Sequence, residues 1–212
     1  MTPRPNRRIE PTPTKRRGSC AALARDEEAP MTSVPEKLPD NDTYYMGIAI
    51  AVREKANCTG NRIGAVAVLQ NRVISTGYNG VPEGMKNCLE GGCLRCRNPN
   101  DRFPSGTGYD LCICVHAEQN ALLSAARFGI AVESATIYST MQPCFGCGKE
   151  LLQAKVKRIV YLHPWTPSDA DPQMDSHKKA EHDKLLARLN TKQLSIKDAR
   201  AEWAVTALRK KS

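Results

Sequence analysis

His116, Glu118, Cys144 and Cys147 are the residues of this chain whose types and spacing most directly imply chemistry. His116-Ala117-Glu118 opens one predicted helix, and Pro143-Cys144-Phe145-Gly146-Cys147 opens another. Two helix N-termini directed at one point can deliver an imidazole and two thiolates to a tetrahedral zinc ion, leaving the fourth position to water. The Cys-x-x-Cys spacing lets both sulfurs reach one ion, and the positive ends of the helix dipoles favour the thiolate forms. Zinc lowers the pKa of such a water, so that hydroxide is available near neutral pH. Glu118, two residues beyond His116, can approach the water without becoming a ligand, take its proton and hand it on. A closed zinc site or a redox Cys-x-x-Cys could use the same three ligands, but Glu118 and Pro143 weigh against both.

Such residues need a scaffold that brings two helix starts together. Asp40-Asn41-Asp42 are candidate caps for a helix running to about Ala56, in which Tyr45, Ile48, Ala49 and Val52 recur at helical spacing. Gly64 to Leu69 and Val73 to Tyr78 read as two strands of a hairpin joined through Gln70-Asn71-Arg72. A Gly- and Cys-rich connection follows from Asn79 to about Leu111, and loops of that length inside a domain tend to be functional or stapled. A helix is expected from His116 to about Phe128, a strand over Ala135 to Ser139, a helix over Cys144 to Ala154 and a strand over Val156 to Leu162. Strands alternating with helices predict an α/β sandwich with parallel pairing in its later half.

The formal charge of +9 is unevenly spread. Residues 1–38 carry 8 basic and 5 acidic groups, residues 176–212 carry 10 and 4, and the stretch between carries 13 of each. The neutral middle argues against a nucleic-acid-binding surface there, and basic tails are usually solvated. Residues 1–38, rich in Pro, Arg, Thr and Glu without apolar periodicity, are expected to be a disordered basic tail. Residues 39–168 are expected to form the catalytic domain, and 169–212 a basic extension with helices over about His177 to Leu189 and Lys197 to Lys210. No apolar run approaches the roughly 18 residues of a membrane span, and the N-terminus lacks a secretory apolar stretch. A cytoplasmic location is expected, and nine cysteines in such a chain are more naturally ligands or buried thiols than disulfides.

His116-Ala-Glu118 paired with Pro143-Cys144-x-x-Cys147 is the motif of zinc-dependent base deaminases. From about Tyr44 to Trp165 the chain resembles the cytidine and deoxycytidylate deaminase superfamily, and within it the deoxycytidylate (dCMP) deaminases. Three further features carry this resemblance: Ile74-Ser-Thr-Gly-Tyr-Asn-Gly80 with Pro82, Cys112-Ile-Cys-Val-His-Ala-Glu-Gln-Asn-Ala121, and the cysteines of the long loop. It implies a three-layer α/β/α sandwich with a mixed sheet, a catalytic zinc on His116, Cys144 and Cys147, and Glu118 as the proton carrier. It also implies that Asn79 hydrogen-bonds the sugar, that the Ala117 N–H bonds the pyrimidine carbonyl, and that Trp165 closes over the base. Read without the resemblance, Asn79 is a turn residue beside Gly80 and Trp165 a packing residue.

Cys88, Cys93 and Cys96 form a C-x4-C-x2-C run, which with Cys58 suits a closed structural zinc that would staple the loop. Cys112 and Cys114 are alternative ligands, although their alternation with Leu111, Ile113 and Val115 reads as buried thiols. Cys20 lies in the tail. The resemblance further implies a deoxycytidine nucleotide substrate, dCTP and dTTP as effectors acting near Gly77, Tyr78 and Gly80, and a homo-oligomer, hexamer or dimer. Rival expectations are a dCTP or dual dCMP/dCTP deaminase, a tRNA or single-stranded nucleic-acid deaminase, and a non-catalytic zinc module, which Glu118 argues against.

Overall fold

The computed structural model describes residues 37–97, 108–165 and 172–201. The tail expected over residues 1–38 lies almost wholly outside them, as does most of the helix expected from Lys197 to Lys210, of which only a start at residues 199–201 is described.

Helix α1 (Asn41–Arg53) starts where Asp40 accepts the Thr43 N–H at 2.8 Å, the cap that the sequence pattern requires. Its buried residues, Tyr45, Met46, Ala49, Ile50 and Arg53, repeat every three or four positions and form one face. Strands β1 (Gly64–Leu69) and β2 (Arg72–Tyr78) pair antiparallel. Gln70 and Asn71 turn the hairpin with φ of 49° and 57°, the positive values of a primed two-residue turn. β3 (Thr136–Met141) pairs antiparallel with β1, while β4 (Arg158–His163) and β5 (Thr191–Gln193) add in parallel, giving the order β2-β1-β3-β4-β5. The helices between them are α2 (Leu94–Arg97), α3 (Ala117–Arg127), α4 (Phe145–Gln153) and α5 (Pro172–Ala187).

Side-chain alternation divides the sheet between two helical layers. Val66, Val68, Tyr138, Val160 and Leu162 pack on Tyr45, Met46 and Ile50 of α1. On the other face Ala65 meets Ala117 and Ala121 of α3, while Ala67, Ile137 and Ile159 meet Leu151 of α4. This is the mixed, three-layer sandwich that was expected. Small residues let the layers close up: a Cβ at Gly77 would lie 2.1 Å from the Ala117 carbonyl oxygen, so β2 sets the height of α3 above the sheet.

β5 is a strand of the same sheet, and Leu189 just before it is buried with Ile137, Leu151 and Ile159. The reason is general: β4 without β5 would expose an unpaired edge, and a parallel neighbour requires a crossover helix, which α5 supplies. Three residues of Thr-Lys-Gln gave no strand signal in the sequence.

Candidate functional site

α3 and α4 both begin at the carboxyl end of the sheet, with His116 and Cys144 as their N-cap residues. The start of α3 is held by the His116 N–H donating to Gln119 Oε1 at 3.0 Å, and Gln119 in turn donates to Glu150 of α4 at 2.9 Å, which ties the two helices together. His116 Nδ1 lies 3.4 Å from both Cys144 Sγ and Cys147 Sγ. A tetrahedral zinc with bonds of about 2.1 Å to nitrogen and 2.3 Å to sulfur puts those atoms about 3.6 Å apart, so the trio fits a zinc ion. It is a three-donor set with its ligand atoms all within 4.8 Å of one another.

The electrostatics also suit a cation. Hydrogen bonding from the Cys147 thiol, aided by His116, pulls the Cys144 thiol down to about 4 against the opposing effect of burial. Cys147 is pushed well up by the same bond and by burial, so the pair shares one negative charge. Burial lowers the proton affinity of His116, but Cys144 beside it more than offsets this and the imidazole ends at about 9. A divalent ion entering here replaces protons held by its own ligands.

Glu118 is only 3% exposed. Its Oε2 lies 3.7 Å from Cys147 Sγ, while Oε1 accepts the Ser139 hydroxyl at 2.7 Å from β3. Burial raises the proton affinity of this carboxylate, with His116 and the Ser139 hydrogen bond acting in the opposite direction. Two adjoining cavities open in front of the trio. One, of about 90 Å³, reaches Glu118, Asn79, Ile63 and Met141, and the other, of about 600 Å³, runs out past Phe145 to His177, Lys178 and Glu181 of α5. They share a wall of Tyr109, Cys112, Cys114, His116, Cys144 and Trp165.

The structure brings some of the other expected residues to this place and not others. Asn79 lines the inner cavity, 5% exposed, with Oδ1 accepting the Ile63 N–H and Nδ2 donating to the Asn61 carbonyl, both at 2.8 Å. Trp165 spans both cavities and its indole N–H donates to the Tyr109 hydroxyl at 3.2 Å. Ala117 is the first residue of α3, where a helix leaves the backbone N–H without an intrahelical acceptor. Gly77, Tyr78 and Gly80 do not line either cavity. Gly77 abuts α3, Tyr78 gives its carbonyl to Asn120 Nδ2 at 2.7 Å, and Gly80 bridges to Val115.

The loop cysteines do gather, though in a different combination from the one expected. Cys58, Cys88, Cys96 and Cys114 form one group, and Cys93, Cys96, Cys112 and Cys114 a second. Cys114 thus stands with Cys58 and Cys88 where Cys93 was expected, because Cys112 and Cys114 turn the same way from an extended segment. Their alternation with apolar residues puts two sulfurs on one side. Sequence reasoning also missed Ser139, Tyr109 and Gln119. Ser139 was the last residue of a predicted strand, and nothing in the sequence told which side chain it would face.

Comparison with known proteins agrees with this geometry. Residues 39–163 match the model of the cytidine and deoxycytidylate deaminase zinc-binding region, and the chain belongs to that family. The deoxycytidylate deaminase of Schizosaccharomyces pombe is 41% identical over 139 residues, covering 66% of this chain and 40% of that protein. That of Mycobacterium phage D29 is 38% identical over 128 residues, covering 58% of this chain and 94% of the phage protein. The chain therefore spans about two fifths of the length of the fission-yeast relative. The crystal structure of dCMP deaminase from cyanophage S-TIM5 superposes with a TM-score of 0.53 at 24% identity, covering 74% of this chain and all of that one, and shares its fold. No helix among the described residues is long and apolar enough to cross a membrane.

Proposed function

We propose that the chain is a hydrolytic deaminase that converts dCMP to dUMP and releases ammonia. The observation that carries this reading is the buried carboxylate of Glu118, beside a three-donor metal site and on the wall of a cavity. A purely structural metal has no use for such a group.

His116, Cys144 and Cys147 would hold one zinc ion, which supplies Lewis acidity and so a water-derived nucleophile near neutral pH. Glu118 takes one proton of the attacking water on Oε2 and delivers it to the ring nitrogen beside the reacting carbon; it then takes the proton of the hydroxyl formed on that carbon and passes it to the amine, which leaves as ammonia as the carbonyl forms. Ser139 holds Oε1, which leaves Oε2 as the mobile proton carrier. Asn79 keeps a second N–H on Nδ2 and a second lone pair on Oδ1 for the sugar. The Ala117 N–H is read as the donor to the pyrimidine carbonyl, and Trp165 with Tyr109 as the wall over the base.

To the same reading belong dCTP and dTTP control through Gly77, Tyr78 and Gly80, a homo-oligomer (dimer or hexamer), a cytoplasmic setting that keeps the thiols reduced, and structural zinc in the cysteine-rich loop. Its domain division keeps residues 1–38 as a tail and joins α5 and β5 to the catalytic unit.

Ammonia release is to be measured separately with dCMP, dCTP, CMP and deoxycytidine, each with and without dCTP or dTTP as effector. dCMP is expected to turn over fastest; preference for dCTP would transfer the assignment to the triphosphate. Glu118→Gln is expected to lower kcat by about 10³-fold with zinc still bound. Unchanged turnover in that variant would sink the mechanism.

A further inference from the structure

Six of the eight described cysteines take no part in the trio and stand together: Cys58 after α1, Cys88, Cys93 and Cys96 in the long loop, and Cys112 and Cys114 on the approach to His116. Their sulfurs are neither bonded nor dispersed. Cys58 to Cys96 is 3.6 Å, Cys93 to Cys112 is 3.8 Å and Cys96 to Cys112 is 3.9 Å. A disulfide needs about 2.05 Å. Four thiolates around one zinc, at about 2.3 Å from it, stand about 3.8 Å apart along each edge of their tetrahedron.

Two quartets each keep their four sulfurs within 4.8 Å of one another, and they overlap in two members, Cys96 and Cys114. Two tetrahedra that share an edge are the arrangement in which two thiolates each bridge two ions. One ion would leave either Cys93 and Cys112 or Cys58 and Cys88 as spare thiols pressed against thiolates. Backbone donors are placed accordingly. The Gly60 N–H reaches Cys58 Sγ and the Thr59 N–H reaches Cys88 Sγ, both at 3.4 Å. These are two of the four unshared sulfurs, which keep the lone pairs that bridging sulfurs give up to a second ion.

We infer that the six cysteines form one closed binuclear centre for two zinc-like ions, with Cys96 and Cys114 shared, Cys58 and Cys88 completing one ion and Cys93 and Cys112 the other. It rests on the reading that this loop holds structural metal, and doubles it. Six thiolates and two divalent ions leave a net charge of −2, and Arg95 stands in the same wall as Cys96, Cys112 and Cys114. The centre joins the end of α1, the loop and the Cys112–His116 segment, so it fixes the backbone that carries the histidine of the trio.

The full-length protein, prepared with zinc, is to be counted for metal by elemental analysis and native mass spectrometry, together with the double variant Cys93→Ser/Cys112→Ser. Three zinc ions per chain are expected, and at least one fewer in the variant. Two ions per chain in the wild type would overturn the binuclear centre while keeping a single structural zinc, and one ion would overturn both. Three ions in both proteins would overturn the assignment of Cys93 and Cys112. Should the double variant not fold, ¹¹³Cd NMR of the cadmium-loaded wild type decides. Two sulfur-ligated resonances split by coupling through the shared thiolates are expected, and a single or uncoupled pair of resonances overturns the proposal.

Discussion

The trio of His116, Cys144 and Cys147 and the six-cysteine cluster are neighbours that share the wall of one cavity, yet they are built in opposite ways. The trio is mounted on the first residues of two helices that pack on the sheet, mixes nitrogen with sulfur, and has Glu118 and open space beside it. The cluster is all sulfur, drawn from a helix end, a loop and an extended segment, and most of its thiols are buried. An incomplete ligand set on rigid elements suits chemistry, and a complete one on irregular chain suits holding that chain in place.

The sharpest way to test that division is to break each site alone. Cys147→Ser should abolish turnover and remove one ion while the melting temperature stays within a few degrees of wild type. Cys114→Ser should lower the melting temperature by at least ~10 °C, since metal binding in such a loop is folding free energy. Equal thermal shifts for the two would erase the distinction. Gly77→Ala should destabilise by about 3 kcal/mol, because its methyl would be driven into the Ala117 carbonyl and lift α3 from the sheet. Denaturant titration measures it, and the metal of the trio should weaken before that of the cluster.

Asp42 provides a change that touches neither site. It accepts both Arg158 guanidinium nitrogens at 2.8 Å, Lys192 at 2.7 Å and the Tyr138 hydroxyl at 3.0 Å, joining α1 to β3, β4 and β5. Arg158 first, then Lys192 and Tyr138, hold its carboxyl well below the ordinary value of 3.8, despite partial burial. A lowered folded-state pKa stabilises wherever the carboxylate is ionised, so the contribution is complete above about pH 4 and is lost as pH falls further. Asp42→Asn should cost about 2 kcal/mol at neutral pH and flatten the acid limb of the stability curve, with both metal counts unchanged. The smallest effect is expected at Ser139→Ala, about 10-fold in kcat with little change in KM, as Glu118 loses the hydroxyl that orients it. A steady-state comparison with wild type, metal content held equal, checks it.

Much of this was legible in the order of residues. Asp40, Asn41 and the spacing of Tyr45 and Ala49 give α1, and the hairpin follows from Gln70-Asn71 between apolar runs. Cys-x-x-Cys after proline and a histidine two residues before a glutamate are local patterns, and each fixes its own helix start without help from distant chain. β5 was not legible, since Thr-Lys-Gln becomes a strand only because β4 presents an open parallel edge. The partner of Glu118 was not legible either: Ser139 reaches it across 21 positions of sequence.

The sequence by itself determined the identities of the donors, the helices that begin with them and the alternation that sorts the sheet into two layers. Those depend on neighbours a few residues apart. Only the tertiary structure decided which sulfurs stand together, that Cys96 and Cys114 belong to both quartets, and that Tyr109 and Trp165 close one wall. Contacts between segments 16 to 56 residues apart depend on how the sheet and its helices pack, and no local spacing encodes that distance.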